Sequence, residues 1–372
     1  MEIPFVGFGS YRPLNDMTRD MLCSGVAVGW HGLPAYAARL IRAAEGQFPV
    51  VATRPTVPVA GMEEILQGRI HWTSDHTILR WSDLALPVPR IFFQPSWCTP
   101  SFNHLGNEVT AAGGKIVVMF DNPWKGSFRQ FLGAIRFRTL WRKRFAAAWV
   151  CGKSGARLAR FWGFPPGRTF TGMYGAAPEI FSNQLKCGLV GRAKKVVFVG
   201  RLVSTKGVSE LISAWKIFFA RYPDWELHVY GVGQMEREIR TGGPGIIFHG
   251  FQQPKDVGTA LQAARYLVLP SYDEHWGLVV CEAAQAGCGL LVSSTVGSAP
   301  DLVGSENGKI FPAKRVQQIA DALEWAASRS SDELRRMEAE STLRGFSFTP
   351  HTWASTFHRI VKFCANERNS YE

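Results

Sequence analysis

From about residue 195 the hydrophobic positions follow two alternating rhythms. Short unbroken runs, Lys195-Val196-Val197-Phe198-Val199-Gly200, Glu226-Leu227-His228-Val229-Tyr230 and Tyr266-Leu267-Val268-Leu269-Pro270, read as strands buried on both faces. Between the first two, apolar residues fall at Val208, Leu211, Ile212, Trp215, Phe218 and Phe219. That spacing marks one face of a helix, which Tyr222-Pro223 brings to a stop. Ile246-Ile247-Phe248 adds a strand, and residues 255–264 add a helix. Strand and helix taking turns predict a parallel α/β sheet.

The first half has the same character with less regularity. Ile3 to Gly9, Phe48 to Ala52, Arg90 to Gln94 and Lys115 to Phe120 are strand candidates, and Ala35 to Glu45 is a helix behind the loop Gly29-Trp30-His31-Gly32-Leu33-Pro34. The polar stretch 183–195 is the best linker. A chain of 372 residues exceeds what one compact core usually holds. The predicted organisation is therefore two Rossmann-like domains, 1–185 and 186–349, facing each other across a cleft. A helix within 350–372, with Trp353, Phe357, Ile360, Val361 and Phe363 on one face, returns to pack on the first domain.

Composition narrows the class. With 46% hydrophobic and 19% charged residues the chain is too apolar for disorder. No segment reaches the ~20 apolar residues of a membrane-spanning helix. The opening MEIPFVGFGSYRPLND lacks the features of a secretory leader, which predicts a cytoplasmic protein. Seven scattered cysteines form no C-x-x-C pair, so neither a zinc nor a redox site is expected. Of the net charge of +12, ten units lie in the first 189 residues. Only that half is expected to face an anionic partner.

Three pieces in the second half carry chemistry. Gly200-Arg201-Leu202-Val203-Ser204-Thr205-Lys206-Gly207 sits where a strand hands over to a helix. There free backbone N–H groups and two cations can meet a phosphate. Taken alone, an Arg and a Lys five apart also read as solvated surface charge. Asp273-Glu274-His275-Trp276-Gly277-Leu278-Val279-Val280-Cys281-Glu282 follows the strand ending at Pro270. Its glutamates, eight apart, can hold two hydroxyl-bearing parts of one ligand. They can equally be a loop charge and a first-turn Glu favoured by the helix dipole. The third piece, Gly287 to Val292 and then Gly297-Ser298-Ala299-Pro300-Asp301, reads as a helix end, a strand and a glycine loop with a structural role.

In order, FVGRLVSTKG, LHVYGVG, FHGF and LVLPSYDEHWGLVVCEAAQAG are similar to the donor half of the retaining glycosyltransferases of family 4, a GT-B family of bacterial mannosyl-, glucosyl- and rhamnosyltransferases. The resemblance covers roughly residues 195–325. It implies that Arg201 and Lys206 bind the donor diphosphate, Glu282 the ribose, and Glu274 the donor sugar. Backbone N–H groups of Trp276, Gly277 and Leu278 would reach sugar and phosphate. It implies a nucleotide-sugar donor, UDP-, GDP- or dTDP-linked, and no cofactor. The sequence has no Asp-x-Asp, so no metal is expected, and the cations and helix terminus would meet the leaving-group charge instead. In the first half Gly32 is either a backbone approach to the phosphates or an ordinary turn glycine. The strand Lys115 to Phe120 corresponds to one that usually ends near a reacting-centre histidine, and here Asp121-Asn122 follows. Asp121 is either a catalytic positioner or a turn residue. His31 and His104 are expected to be structural or exposed.

Residues 124–149 interleave Arg136, Arg138, Arg142, Lys143 and Arg144 with bulky apolar residues. A basic helix with such a face suits an anionic bilayer surface, which would put the protein on the inner face of the cytoplasmic membrane. It would also suit a glycan or lipid-linked saccharide acceptor in surface polysaccharide or lipopolysaccharide assembly. The alternative is a helix with its aromatics in the core and a solvated cationic face. Three other readings compete. Gly231-Val232-Gly233 lacks the third glycine of a dinucleotide fingerprint, because position 236 is Glu. A GT-B epimerase or inverting transferase would need a general base in the cleft. A non-enzymatic basic membrane-binding protein would leave both loops idle, and no nucleic acid is expected as partner.

Overall fold

The computed structural model describes residues 25–55, 61–74, 78–182 and 188–366. Among them, strands β1 (Val26–Trp30), β2 (Val50–Thr53), β3 (Ile70–Thr73), β4 (Ile91–Pro95), β5 (Lys115–Phe120), β6 (Ala147–Val150) and β7 (Thr169–Phe170) form one sheet, in the order β3-β2-β1-β4-β5-β6-β7. All its neighbours run parallel. A second parallel sheet holds β8 (Lys195–Val199), β9 (Glu226–Tyr230), β10 (Ile246–Gly250), β11 (Tyr266–Leu269), β12 (Gly289–Ser293) and β13 (Gly308–Phe311), ordered β10-β9-β8-β11-β12-β13. Buried strands with helices between them require this parallel arrangement.

In each sheet the strand order reverses direction once, between β1 and β4 and between β8 and β11. Loops leaving the carboxyl ends of such neighbouring strands diverge and open a crevice. In the first sheet β1 and β4 end at Trp30 and Pro95; in the second, β8 and β11 lead into the loops around Arg201 and Asp273.

The strands expected at Phe48 to Ala52, Arg90 to Gln94 and Lys115 to Phe120 appear as β2, β4 and β5. The expected strand Ile3 to Gly9 lies outside the described residues. The first described strand is Val26–Trp30, which feeds directly into the loop holding Gly32. Of the expected linker, 183–187 lies outside the described residues, while Gly188–Gly191 forms a helical turn ahead of β8. The stretch 124–149 is a helix, Phe128–Leu140, followed by β6.

The helix Pro350–Asn366 lies against the first sheet. Trp353 is fully buried, with its ring 4.7 Å from that of Trp149, and its indole donates to the Met173 carbonyl at 3.0 Å. Phe357 packs on Phe48 and Phe93 at 5.0 and 4.7 Å between ring centres. No helix among the described residues is long and apolar enough to cross a membrane. Trp353→Ala should remove both the ring contacts and the indole bond, costing about 3–5 kcal/mol. A thermal midpoint unchanged in scanning calorimetry would contradict the docking described for this helix.

Candidate active site at the cleft

The loop leaving β11 is held from its own side before anything meets it from across the cleft. The Ser271 carbonyl accepts from the hydroxyls of Ser293 and Thr295, the latter at 2.7 Å. The Glu274 carbonyl accepts from the Gly297 amide at 3.2 Å, and the Trp276 carbonyl from the Ser298 amide at 3.0 Å. A β-carbon on Gly297 would lie 1.7 Å from the His275 carbonyl oxygen, so only glycine fits there. The third sequence piece therefore acts as the seat of the second.

The same loop touches the one leaving β8. The Tyr272 amide donates to the Thr205 carbonyl at 3.0 Å. Gly207, at φ +71°, packs so closely on the Pro270 carbonyl that a β-carbon would come within 2.5 Å of it. This proximity brings Lys206 and Glu274 together as an ion pair, with only 13% and 19% of their side chains exposed. Arg201 is exposed at the start of the same turn.

Asp273, Glu274 and His275 point to three partners. Asp273 pairs with Lys125 of the first half at 2.5 Å. Glu274 pairs with Lys206. His275 Nδ1 lies 3.3 Å from Asp121 Oδ1, across the cleft. The other Asp121 oxygen accepts from the Tyr174 hydroxyl at 3.2 Å. Burial pushes the Asp121 carboxyl up, yet the bond and charge of His275, with Tyr174, hold it below its ordinary value. The bond to Asp121 raises His275 above the ordinary imidazole value against the opposing effect of burial. Asp121, Tyr174 and His275 line a cavity of about 430 Å³ with Trp30, Trp97 and Phe120.

Trp276 is buried, its ring 5.2 Å from that of Phe348 and pressed on Gly152 of the first half, where a β-carbon would sit 2.6 Å from the indole. Asp301 accepts from the Lys153 amide at 3.1 Å, across the same seam. Gly277, at φ +82°, turns the chain into the helix Leu278–Gln285, whose first amides have no partner within the helix. Glu282, one turn in, keeps part of its side chain at the surface, but the surrounding protein pushes its pKa up to about 7 by burial.

Gly32 does not offer a free amide. At φ +58° it donates its N–H to the Thr53 hydroxyl at 2.7 Å, which is the role of a turn glycine. His31 reaches the cavity wall, and His104 Nδ1 binds the Leu79 carbonyl at 2.9 Å. The sequence assigns no role to His275 or Tyr174, and places Lys125 only among the cations of the basic stretch 124–149, whereas the structure pairs it with Asp273. Three consecutive titratable residues, Asp273-Glu274-His275, were the available signal for His275; Tyr174 gave none.

The helix Phe128–Leu140 is divided. Ala134 and Phe137 face inward, Phe137 stacking on Trp162 at 4.3 Å. Phe128 and Leu140 are 75% and 68% exposed, and Phe131, Leu132 and Ile135 about half. Arg136, Arg138 and Lys143 are exposed beside them. The outward placement expected for Arg142 and Arg144 does not hold. Arg142 donates to the carbonyls of Gly163 and Phe145 and covers the Phe164 ring at 4.1 Å. Arg144 donates to the Asn103 carbonyl. The turn after the helix folds both guanidinium groups back onto backbone oxygens that need donors.

Residues 183–343 match the family model "Glycosyl transferases group 1". Among curated relatives, the D-inositol 3-phosphate glycosyltransferase of Corynebacterium aurimucosum is 32% identical over 152 residues, 37% of this chain and 35% of that one. The chain spans less than half the length of the first curated relatives it matches. The solved structure of Anabaena HepE in complex with UDP and glucose superposes with a TM-score of 0.68 at 12% identity, covering 90% of this chain and 99% of that one. WaaG, a glycosyltransferase involved in lipopolysaccharide biosynthesis, gives 0.59 at 14% identity over 90% and 99%. The fold is GT-B. The match to the group 1 family model falls in the second unit.

Glu282 supplies a test of the site's burial. Its folded pKa lies above the ordinary carboxylate value, so folding favours the neutral form. That contribution is complete below the ordinary value and is lost as pH rises through about 7. Thermal midpoints should therefore fall between pH 5 and 8 more steeply in the natural protein than in Glu282→Gln. Parallel slopes would show that this carboxyl is not enclosed.

Proposed function

We propose that this protein is a retaining, metal-independent glycosyltransferase of family 4 that moves a hexose from a nucleoside-diphosphate sugar to a glycan or lipid-linked saccharide. The observation that carries this is the Lys206–Glu274 pair, a cation and a carboxylate joined at the crevice inside the segment matching group 1 glycosyltransferases. In this reading residues 186–349 hold the donor and residues 1–185 the acceptor. Lys206 and Arg201 meet the diphosphate, assisted by the backbone amides of Trp276, Gly277 and Leu278. Glu274 accepts from the sugar hydroxyls and Glu282 from the ribose. HepE, of the same fold, was solved with UDP and glucose, which supports a nucleotide-sugar donor here.

The chemistry is front-face displacement. The bond from the anomeric carbon to the diphosphate oxygen breaks, and a bond from the acceptor oxygen to that carbon forms on the same face. The departing phosphate oxygen takes the acceptor proton, so atoms and charge balance without a protein nucleophile. Negative charge grows on the diphosphate, where fixed cations and helix amides stabilise it most. Asp121, at the acceptor cavity, orients the attacking hydroxyl.

A panel of UDP-, GDP- and dTDP-sugars, screened by thermal stabilisation and then by transfer, tests the donor reading. Lys206→Ala and Glu274→Ala should each lower kcat/KM about 100-fold or more. Full transfer in the double variant would sink the assignment. Product anomer analysis by NMR decides retention against inversion.

The acceptor is proposed to sit at an anionic membrane surface on the cytoplasmic side, met by the helix Phe128–Leu140. Its exposed apolar side chains would enter the interface while Arg129, Arg136, Arg138 and Lys143 each contribute ~1 kcal/mol. In vesicle flotation, Phe128→Ser/Leu132→Ser should abolish binding to anionic vesicles, and Arg136→Ala/Lys143→Ala should weaken it in a salt-dependent manner. Undiminished flotation of both would remove this surface from consideration.

A further inference from the structure

The acceptor cavity contains a histidine that belongs to the other half of the molecule. His275 rides on the loop leaving β11 and reaches Asp121, the first residue after β5. Asp121 is at the same time fixed by Tyr174, so one carboxylate is gripped from both halves. The loop has no slack to absorb a shift, because Glu274 and Trp276 are bonded to Gly297 and Ser298 on either side of His275. Wherever His275 goes, Glu274 follows.

We propose that His275 is a positioning residue for glycosyl transfer: by gripping Asp121 across the cleft it seats the Glu274 loop against the acceptor cavity and aims Asp121 at the attacking hydroxyl. The proposal rests on the glycosyltransferase reading above. A loop seated in this way fixes the distance between donor sugar and acceptor, and a misplacement of about 1 Å at a reacting centre can cost 100-fold in rate. Half of the His275 side chain remains exposed, with 45% of its surface free, and such pairs hold weakly. The grip is therefore reversible, as an enzyme that must open to release product requires.

The surroundings of His275 set its charge. Asp121 and Tyr174 face it from the first half, and Lys125 from the loop before the helix Phe128–Leu140. Asp273 and Glu274 flank it on its own loop, Lys206 lies beyond Glu274, and His31 stands on the cavity wall. Asp121 outweighs Lys125, so the imidazolium is favoured above the ordinary histidine range. The charged pair is then fully present below the ordinary imidazole value, is lost as pH rises through the raised one, and fails at low pH where Asp121 takes a proton.

Three variants test this on the full chain. His275→Ala should lower kcat about 100-fold while the donor KM stays within about two-fold, since the diphosphate contacts are untouched. His275→Asn places an amide N–H where Nδ1 stands, so it should recover most of kcat and lose the alkaline limb of the pH profile. Imidazole NMR should find His275 titrating above the ordinary value in the natural protein and falling back to it in Asp121→Asn. A His275→Ala enzyme with kcat within about three-fold of the natural one, or a His275 titration unmoved by Asp121→Asn, overturns the proposal. Absence of transfer from every donor in the natural protein would refute the glycosyltransferase reading instead, while the NMR titration still decides whether the pair exists.

Discussion

The arrangement of the cleft depends on how closely the chain at 293–298 approaches the loop 271–277. With a glycine at 297 the two backbones meet, and the amides of Gly297 and Ser298 take up the carbonyls of Glu274 and Trp276. Any side chain at that position would overlap the His275 carbonyl. A loop carrying three consecutive titratable residues would otherwise fray into solvent, because their charges gain more from water than from one another. Held along its backbone, it can aim Asp273, Glu274 and His275 at three separate partners.

This rigidity explains why the seam between the halves is built from dissimilar contacts. Trp276 on Gly152 is an apolar, close-packed contact that a single methyl group would obstruct. Asp301 at the Lys153 amide places a carboxylate at the N-terminus of the helix Lys153–Phe161, where the exposed amides and helix dipole favour it. Around these, Lys125–Asp273 and Asp121–His275 are half-exposed and weak. The seam thus combines a fixed buried part with a rim that can open.

Much of the second sheet was legible from sequence, because strands buried on both faces leave unbroken apolar runs and the helices between them keep a clear period. The first sheet was harder to read for the same physical reason in reverse. β1 is five residues interrupted by Gly29, β3 is only half-buried, and β7 has two residues, too short for any period to register. The division of the helix Phe128–Leu140 was hidden because apolar residues lie on both its faces, inward at Phe137 and outward at Phe131 and Leu132. Glu274 and Lys206 could be found from local spacing. The His275–Asp121 pair could not, since residues 154 positions apart meet only through the packing of two domains.

The Lys206–Glu274 pair has a consequence for the order of events at the cleft. Both side chains are largely buried, and removing one partner from a buried pair leaves an uncompensated charge. A ligand that offers phosphate oxygens to Lys206 and hydroxyls to Glu274 supplies replacements to both at once, so neither charge is stranded. A bare anion satisfies only Lys206 and leaves the carboxylate exposed to it; a neutral sugar does the opposite. On the glycosyl-transfer reading, the pair therefore favours a donor in which sugar and diphosphate are still joined over either fragment alone. On the same reading, once the bond between them breaks the ion pair can re-form as the diphosphate leaves, which favours release.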